Sequence, residues 1–391
     1  FKGNRMVSVL SESQLRRLAK HKYNAVVETL LDPYLQVWWR WFIEKCIPLW
    51  LAPNTITILG LIINLLTTLI LVYFSPQARS EVPSWSLHLN GFGLFIYQTL
   101  DAVDGKQARR TGTSSPLGEL FDHGCDALSM VVVITGASIA LKLGQIPHWM
   151  VIVSVGASAM FYFTHWRAYV SGVVRFGVID VTELQVLGVI IFCLTGIFGQ
   201  DIFLAKTPIL SWEVREVLLF TALLSAAFLT IVNIYEIFQG GVGKNGSSVA
   251  DTSVLSPAVP FVITLYLVYC NYAYSNDNVF GKAPCLFVFA FGFVLAKVSI
   301  VLLVACMSKS AIPMVDIALL CPFVQLVNIH FNSQIDEYSL LWFCMIFSSL
   351  NLIQYCYAVI TEICTHLNIN CFTITPKQIK EESSTKEGKA S

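Results

Sequence analysis

Residues 101–126 read DAVDGKQARRTGTSSPLGELFDHGCD and carry four aspartates in a chain of which only 13% of the residues are charged. Apolar runs lie on both sides, GFGLFIYQTL before the stretch and ALSMVVVITGASIA after it. Carboxylates in apolar surroundings are costly and persist only where a positive charge lies among them. The stretch therefore predicts a buried site that holds cations between its aspartates. These are Asp101, Asp104, Asp122 and Asp126.

The spacing of the aspartates predicts two helices. The first two lie three residues apart and the last two four residues apart, so each pair shares one helical face. Ser115 followed by Pro116 is typical of a helix start, with a hydroxyl cap and a proline in the first turn. We expect a turn at residues 111–115 to join the helices, with all four carboxylates facing one another.

The donor set indicates which cations bind. Oxygen ligands without cysteine favour Mg²⁺ or Mn²⁺ over zinc. Four negative charges match two divalent cations, an arrangement that stabilises the attacking and the leaving oxygen in phosphoryl transfer. The alternative is that the aspartates are solvated caps and salt-bridge partners of Lys106, Arg109 and Arg110.

Composition assigns the chain to the membrane proteins. Of its 391 residues 55% are hydrophobic, and apolar stretches of about 20 residues, long enough to cross a ~30 Å hydrocarbon core, recur along it. The formal net charge is zero, so no basic face supports nucleic-acid binding. We predict an all-α, multi-pass membrane fold of about ten transmembrane helices. The predicted spans are residues 52–74, 86–108, 116–142, 147–172, 184–204, 212–239, 257–275, 284–306, 311–331 and 338–366.

The two ends of the chain differ from the spans. Near the N-terminus, Trp38, Trp39, Trp41 and Trp50 lie among basic residues, a mixture typical of the membrane–water boundary. We therefore expect amphipathic, interfacial helices along the cytosolic surface. The predicted parts are this N-terminal segment (1–50), a core of six spans (51–239), further spans (240–375) and a disordered tail (376–391).

Basic residues predict the orientation. Residues 106–110 and Arg175 fall on the same side as the basic N-terminal segment, whereas the first loop carries only Arg79 beside Glu81. The positive-inside rule makes the richer side cytosolic. An even number of spans then places both termini and the aspartates on the cytosolic side.

The complete motif resembles the signature of the CDP-alcohol phosphotransferases. That pattern is Asp-x-x-Asp-Gly-x-x-Ala-Arg, eight residues, then Gly-x-x-x-Asp-x-x-x-Asp, and it runs here from Asp101 to Asp126. The wider wording is similar to the eukaryotic choline and ethanolamine phosphotransferases in particular. WLAPNTIT (50–57), THWRAYVSG (164–172) and GGVGKNGSSVADTSVLSP (240–257) add to the resemblance, which thus covers most of the chain.

The resemblance implies a reaction and a location. It implies transfer of phosphocholine, and also of phosphoethanolamine, from CDP-choline or CDP-ethanolamine to diacylglycerol, with CMP released. It implies residues 51–239 as the catalytic core, two bound Mg²⁺ or Mn²⁺ ions and a homodimer. It also implies a membrane of the endoplasmic reticulum or the Golgi, with the active site facing the cytosol.

Five residues around the aspartates are candidates for binding the CDP-alcohol. Arg109 has a fixed charge and a fork of donors suited to a phosphate oxygen, while Gly105 and Gly118 let a nucleotide approach the backbone. The family resemblance implies that Ala108 leaves room at the cytidine end and that Asn54 contacts the CDP moiety. The alternative for Asn54 is an N-cap of the first span.

A general base is needed for the acceptor hydroxyl. We expect His123, which lies between two of the aspartates, to be that base, with Glu119 one helical turn earlier orienting its imidazole. The alternative is Asp126, the residue usually discussed in bacterial relatives. We prefer His123 because a metal-bound carboxylate is a weak base.

A last cluster suggests a headgroup site. The aromatic faces of Trp166 and Tyr169, beside His165, could bind the quaternary ammonium of choline. The alternative is an anchor at the membrane–water interface, at the end of a span.

Two other functions are alternatives, and one apparent motif is excluded. One is a strict ethanolamine phosphotransferase. Another is a divalent-cation transporter, since acidic residues in spans also mark ion paths, although ligands packed into 26 consecutive residues without an internal repeat argue against it. Residues 240–244, GGVGK, fail the test of a P-loop because Phe238 and Asn245 occupy positions that the motif reserves for glycine and Ser or Thr.

Overall fold

The computed structural model describes residues 8–22, 24–26, 29–175, 177, 181–208 and 211–374. The predicted disordered tail, 376–391, lies outside them. Within these residues the protein is almost entirely helical. The helices are α1 (Glu12–Leu18), α2 (Asp32–Lys45), α3 (Pro53–Phe74), α4 (Ser84–Arg110), α5 (Pro116–Ala140), α6 (Pro147–Ser171), α7 (Val181–Phe198), α8 (Val214–Phe238), α9 (Ala258–Ala273), α10 (Val279–Lys282), α11 (Pro284–Met307), α12 (Leu320–His330) and α13 (Glu337–Leu367). The strands are β1 (Ala25–Val26) and β2 (Val174–Arg175).

The predicted pair of helices around the aspartates is confirmed. Helix α4 ends at Arg110, the turn contains Gly112 at a φ of 64°, and α5 begins at Pro116. The Ser115 hydroxyl accepts a hydrogen bond from the backbone N–H of Gly118, as expected of an N-cap. Helix α3 packs against both α4 and α5, so three helices enclose the aspartates.

The all-α, multi-pass membrane fold is confirmed. Among the described residues, six helices are long and apolar enough to cross a membrane, namely α3, α5, α7, α8, α11 and α13. Helices α4 and α6 have 27 and 25 residues, which is sufficient length, but their sequences are more polar. Helix α11 is the central element, since 94% of its most apolar window is buried, and it packs against α5, α6 and α13.

The ninth predicted span, 311–331, is wrong as a continuous helix. Helix α12 has 11 residues, or about 16 Å at 1.5 Å per residue, whereas a bilayer core is ~30 Å thick. Residues 310–316 before it are not helical. In this segment the side chain of Asp316 forms an ion pair, with its Oδ1 2.7 Å from the buried Lys297 ammonium of α11. This ion pair joins the irregular segment to the middle of the bundle.

The N-terminal segment is bound to the helical bundle. The side chains of Leu15 and Leu18 in α1 are buried against helices α5, α11 and α13. Strand β1 pairs in parallel with β2, which follows α6. Helix α2 buries Trp39 and Ile43 and exposes Trp41, so it is amphipathic as expected, and its position at a membrane surface stays a prediction.

The two ends of the bundle have different characters. At one end, which we call the far end, Lys142 reaches Asp201 at 2.7 Å and Glu81 at 3.3 Å and so joins three connecting segments. At the opposite end of the bundle, the start of α3, the last turns of α4 and the start of α5 lie beside the N-terminal segment and residues 369–374, which follow α13. A large cavity opens there, and we call it the cavity end.

Candidate active site

The cavity has a volume of about 820 Å³ and lies over the aspartate motif. The start of α3, the end of α4, the start of α5 and the start of α7 form its floor and walls, and the N-terminal segment and residues 369–374 complete them. Eleven of the fourteen candidate site residues line it. They are Asn54, Asp101, Asp104, Gly105, Ala108, Arg109, Gly118, Glu119, Asp122, His123 and Asp126.

Three of the four aspartates meet across the α4–α5 pair, and Asp104 lies outside this group. Carboxylate oxygens of Asp101, Asp122 and Asp126 all lie within 4.8 Å of one another. Oδ1 of Asp101 and Oδ1 of Asp122 are buried without a hydrogen-bond partner in the described chain. Converging, unpartnered carboxylate oxygens are the donor set that a hard divalent cation prefers. The residues present therefore fit such a metal.

The nearby basic residues do not neutralise the cluster. In the described part of the chain, no lysine or arginine nitrogen lies within 4.0 Å of any of the four carboxylates. Lys106 lies over the ring of Trp39, 5.0 Å from its centroid. Arg110 donates to the carbonyl oxygens of Ile43 and Ile47 at 2.7 and 2.9 Å and thereby holds the end of α2. The interpretation of the aspartates as salt-bridge partners is thus not supported.

Two hydroxyl groups that sequence reasoning missed contact the aspartates. Tyr97 donates its phenolic proton to Oδ1 of Asp126 at 2.7 Å, and the Thr57 hydroxyl contacts Oδ2 of Asp104. Tyr97 lies one turn before Asp101 on α4, so helical spacing could have placed it on the aspartate face. No spacing rule relates Thr57 on α3 to the motif.

The candidate residues for binding the nucleotide surround the aspartates. Arg109 is exposed on the cavity wall. A Cβ built on Gly105 would lie 3.6 Å from Nη1 of Arg109, and one built on Gly118 would lie 3.8 Å from Oδ1 of Asn54. These are ordinary contact distances, so the absence of side chains there enlarges the cavity and is not required by helix packing.

Asn54 does not cap α3. The N-cap residue is Ala52, and Asn54 lies inside the first turn, so the capping alternative is wrong. Its Nδ2 donates to the backbone oxygen of Cys371 at 3.1 Å. The Asn54 side chain thus joins α3 to the segment after α13, at the edge of the cavity. Burial raises the pKa of the Cys371 thiol to about 11, so this thiol is protonated and unreactive at neutral pH.

His123 lies in the cavity wall and is buried. Its ring packs edge-to-face on that of His165, with 5.3 Å between the centroids. Both oxygens of Glu119 contact Nε2 of His21, at 2.9 and 3.1 Å. The contact of Glu119 with the N-terminal segment was not foreseen, and its orientation of the His123 imidazole stays a prediction.

Two of the three headgroup candidates lie away from the cavity. The indole N–H of Trp166 donates to the backbone oxygen of Val254 at 2.7 Å, and the Tyr169 hydroxyl donates to that of Ser310 at 3.0 Å. Both side chains are buried against the loop 240–257 and the end of α11. These positions do not support a choline site at Trp166 and Tyr169, and the interface anchor at the end of α6 stays a prediction. His165 keeps only an indirect link to the cavity, through the ring of His123.

Fold and site together define a multi-pass helical membrane protein with a carboxylate cluster, suited to divalent cations, in a cavity at one end of the bundle. Comparison with known proteins adds the family. The sequence profile of the CDP-alcohol phosphatidyltransferase family matches residues 50–233. The chain is 45% identical to Cholinephosphotransferase 1 of Danio rerio over 368 residues, 94% of this chain and 96% of the relative.

Two further relatives extend the comparison. Cholinephosphotransferase 1 of Homo sapiens is 46% identical over 374 residues, 95% of this chain and 92% of the relative. An uncharacterized CDP-alcohol phosphatidyltransferase class-I family protein of Dictyostelium discoideum is 30% identical over 376 residues, 93% of this chain and 88% of the relative. The chain therefore belongs to the CDP-alcohol phosphatidyltransferase family, and it is a phosphotransferase.

Proposed function

We propose that the protein transfers phosphocholine from CDP-choline to the free hydroxyl of diacylglycerol, giving phosphatidylcholine and CMP. The observation that carries the proposal is that every residue of the family motif lines one cavity. The identity of 45% to 46% with cholinephosphotransferases over nearly their whole length supports choline as the alcohol. A volume of about 820 Å³ lies within the range of small-molecule sites.

Asp101, Asp104, Asp122 and Asp126 would hold the metal, which we propose to be two Mg²⁺ or Mn²⁺ ions. When bound, divalent cations would neutralise the negative charge of the diphosphate and the charge that develops on the leaving oxygen. The two unpartnered Oδ1 atoms of Asp101 and Asp122 support this assignment, because a buried carboxylate oxygen without a partner is otherwise costly.

The residues around the aspartates would bind the CDP moiety. Arg109 projects from the exposed end of α4 and is suited to a phosphate oxygen. Gly105, Ala108 and Gly118 present little or no side chain to the cavity, so the nucleotide can lie against the backbone. Asn54 would exchange its hydrogen bond with the Cys371 carbonyl for one with the nucleotide. Together they would fix the orientation of the diphosphate.

The bond changes balance without any further reactant. The oxygen of the diacylglycerol hydroxyl forms a bond to the phosphorus that carries choline. The bond from that phosphorus to the bridging oxygen breaks, and CMP leaves with the electron pair. We propose that His123 takes up the hydroxyl proton as general base, with Asp126 as the alternative. Support for His123 is its place in the cavity wall, in the same helix as two motif aspartates.

Location and assembly complete the proposal. We propose that the cavity end faces the cytosol, where the water-soluble CDP-choline is present, in the endoplasmic reticulum or Golgi membrane. Residues 106–110 at this end carry three of the basic residues on which the positive-inside argument depends. We also propose a homodimer, on the basis of the family resemblance.

Turnover by the purified, reconstituted protein tests the function. We expect labelled CDP-choline and diacylglycerol to give phosphatidylcholine and CMP in equal amounts, with CDP-ethanolamine a poorer donor. Exclusive use of CDP-ethanolamine would replace the proposal by the strict ethanolamine enzyme. Divalent-cation flux through proteoliposomes in the absence of nucleotide, without phospholipid synthesis, would replace it by the transporter.

A further inference from the structure

The hydroxyl of Tyr97 is fixed against one motif carboxylate. Tyr97 is fully buried in the main hydrophobic core, and its phenolic O–H lies 2.7 Å from Oδ1 of Asp126. A carboxylate accepts, so the tyrosine is the donor. The ring is held on all sides by packed neighbours, so the hydroxyl has one position, and the carboxyl of Asp126 is fixed in rotation by it.

Thr57 makes the equivalent contact from another helix. Its hydroxyl has two acceptors within reach, Oδ2 of Asp104 and the Pro53 carbonyl oxygen at 3.2 Å, and Asp104 is the nearer. One hydroxyl carries one proton, so the nearer acceptor receives it. Both side chains are buried, and a β-branched residue in a helix has few rotamers. Thr57 on α3 therefore fixes Asp104 on α4.

The four carboxylates thus fall into two kinds. Asp104 and Asp126 each have one oxygen engaged by a hydroxyl donor, whereas Oδ1 of Asp101 and Oδ1 of Asp122 have no partner in the described chain. From this division we infer that Tyr97 and Thr57 are positioning residues of the metal site. Each occupies one oxygen of its aspartate and turns the other toward the cation.

The physical reason is that a bound cation requires its ligand oxygens in one geometry. A carboxylate that rotates freely loses that freedom on binding, whereas one already held by a hydroxyl does not. Groups that orient metal ligands typically contribute about 10- to 100-fold in affinity. The inference rests on the proposed metal site and assigns roles to two residues that precede the motif running from Asp101 to Asp126.

Mn²⁺ titration of the purified full-length protein tests the inference. We expect Mn²⁺ to raise the thermal unfolding midpoint of the wild type. Tyr97→Phe and Thr57→Val should each raise the Mn²⁺ concentration for half-maximal stabilisation by about 10- to 100-fold. Thr57→Ser keeps the hydroxyl and should restore the wild-type value. Electron paramagnetic resonance of free Mn²⁺ gives the same dissociation constants without any assay of turnover.

Matched controls separate positioning from stability. Tyr162→Phe removes a buried tyrosine hydroxyl that donates to the Pro257 carbonyl oxygen at 2.8 Å, and Thr67→Val removes one on α3 that donates to that of Ile63 at 3.0 Å. Both should leave the Mn²⁺ dependence unchanged. A purely structural role predicts a lower midpoint without Mn²⁺ and an unchanged Mn²⁺ dependence in Tyr97→Phe or Thr57→Val, and that result would overturn the inference.

The outcomes are distinguishable from failure of the metal site itself. If the wild type shows no Mn²⁺-dependent shift, the proposed metal site is wrong and the positioning roles fall with it. If the wild type responds and Thr57→Val and Thr57→Ser respond identically to it, only the positioning role of Thr57 is wrong. If Tyr97→Phe does not fold, the comparison of Val with Ser at position 57 still decides whether a hydroxyl on a motif carboxylate affects cation affinity.

Discussion

The imidazole of His21 lies against the carboxylate of Glu119, with Nε2 2.9 Å from Oε2, although the two residues are 98 positions apart. Glu119 belongs to the first turn of α5, beside the aspartates, and His21 to the N-terminal segment. Their contact makes this segment part of the wall of the candidate active-site cavity. The carboxylate that was expected to orient His123 therefore pairs with His21.

The first prediction concerns this pair. If Glu119 acts mainly through His21, the losses of kcat/KM in His21→Ala and Glu119→Gln should overlap in the double variant. We expect a coupling on the order of 1–2 kcal/mol in a double-mutant cycle, because the two groups are in contact. His148→Ala, at a histidine that contacts Tyr272 away from the cavity, should leave activity unchanged. Additive losses would show that Glu119 acts independently of His21.

The aspartates are predicted to be indispensable. Asp104→Ala and Asp122→Ala should abolish turnover because each removes a proposed metal ligand, and chelation should do so because it removes the cations that would neutralise the diphosphate. Without metal, the thermal unfolding midpoint of Asp122→Ala should not be lower than that of the wild type, since the substitution relieves repulsion among buried carboxylates. Asp251→Ala, in the loop 240–257, is the control and should retain activity. Near-normal turnover in either site variant would eliminate the metal-site proposal.

His123 is predicted to act in proton transfer. We expect His123→Ala to lower kcat by at least about 10²-fold, the lower end of what a general base contributes. Binding of CDP-choline, measured by calorimetry, should persist because the aspartates and Arg109 remain. If His123→Ala keeps the wild-type kcat while Asp126→Asn binds metal and is inactive, the base is Asp126.

The glycine at position 118 is predicted to make room for the nucleotide. A methyl group there would meet Asn54 only at 3.8 Å, so Gly118→Ala should fold with an undiminished thermal midpoint. It should raise KM for CDP-choline about 10-fold or more, since overpacking typically costs 1–3 kcal/mol. Gly124→Ala, on the same helix with no atom within 4 Å of the added Cβ, is the matched control. Equal effects of the two substitutions on KM would contradict this role for Gly118.

Orientation is testable by labelling in sealed membranes. A cysteine at Thr113 should react with an impermeant reagent from the cytosolic side, and one at the exposed Ser80 only after the membrane is opened. Position 80 is used in place of position 82 because Val82, in the same loop, is buried and a cysteine there would be inaccessible. The experiment uses a Cys46→Ser background, since Cys46 is an exposed native thiol. The reverse labelling pattern would show that the cavity end faces the other compartment.

The sequence by itself determined the helical membrane class and the core of the site. Long apolar stretches specify membrane helices whatever packs beside them, because backbone groups in lipid must be satisfied within the segment. The aspartate motif was equally readable, since its residues lie on two helices joined by a five-residue turn. Helical periodicity alone places Asp101 beside Asp104 and Asp122 beside Asp126, and the short turn brings the two pairs together.

Helix packing decided the rest. Thr57 reaches Asp104 from α3, His21 reaches Glu119 across 98 positions, and Asn54 meets Cys371 across 317. Tertiary contacts also made Trp166 and Tyr169 anchors of a loop, and the pairing of Lys297 with Asp316 accompanies the break in the ninth predicted span. Such partners depend on how each helix is rotated and displaced against its neighbours. That arrangement is a property of the whole packed bundle, so no local spacing in the sequence carries it.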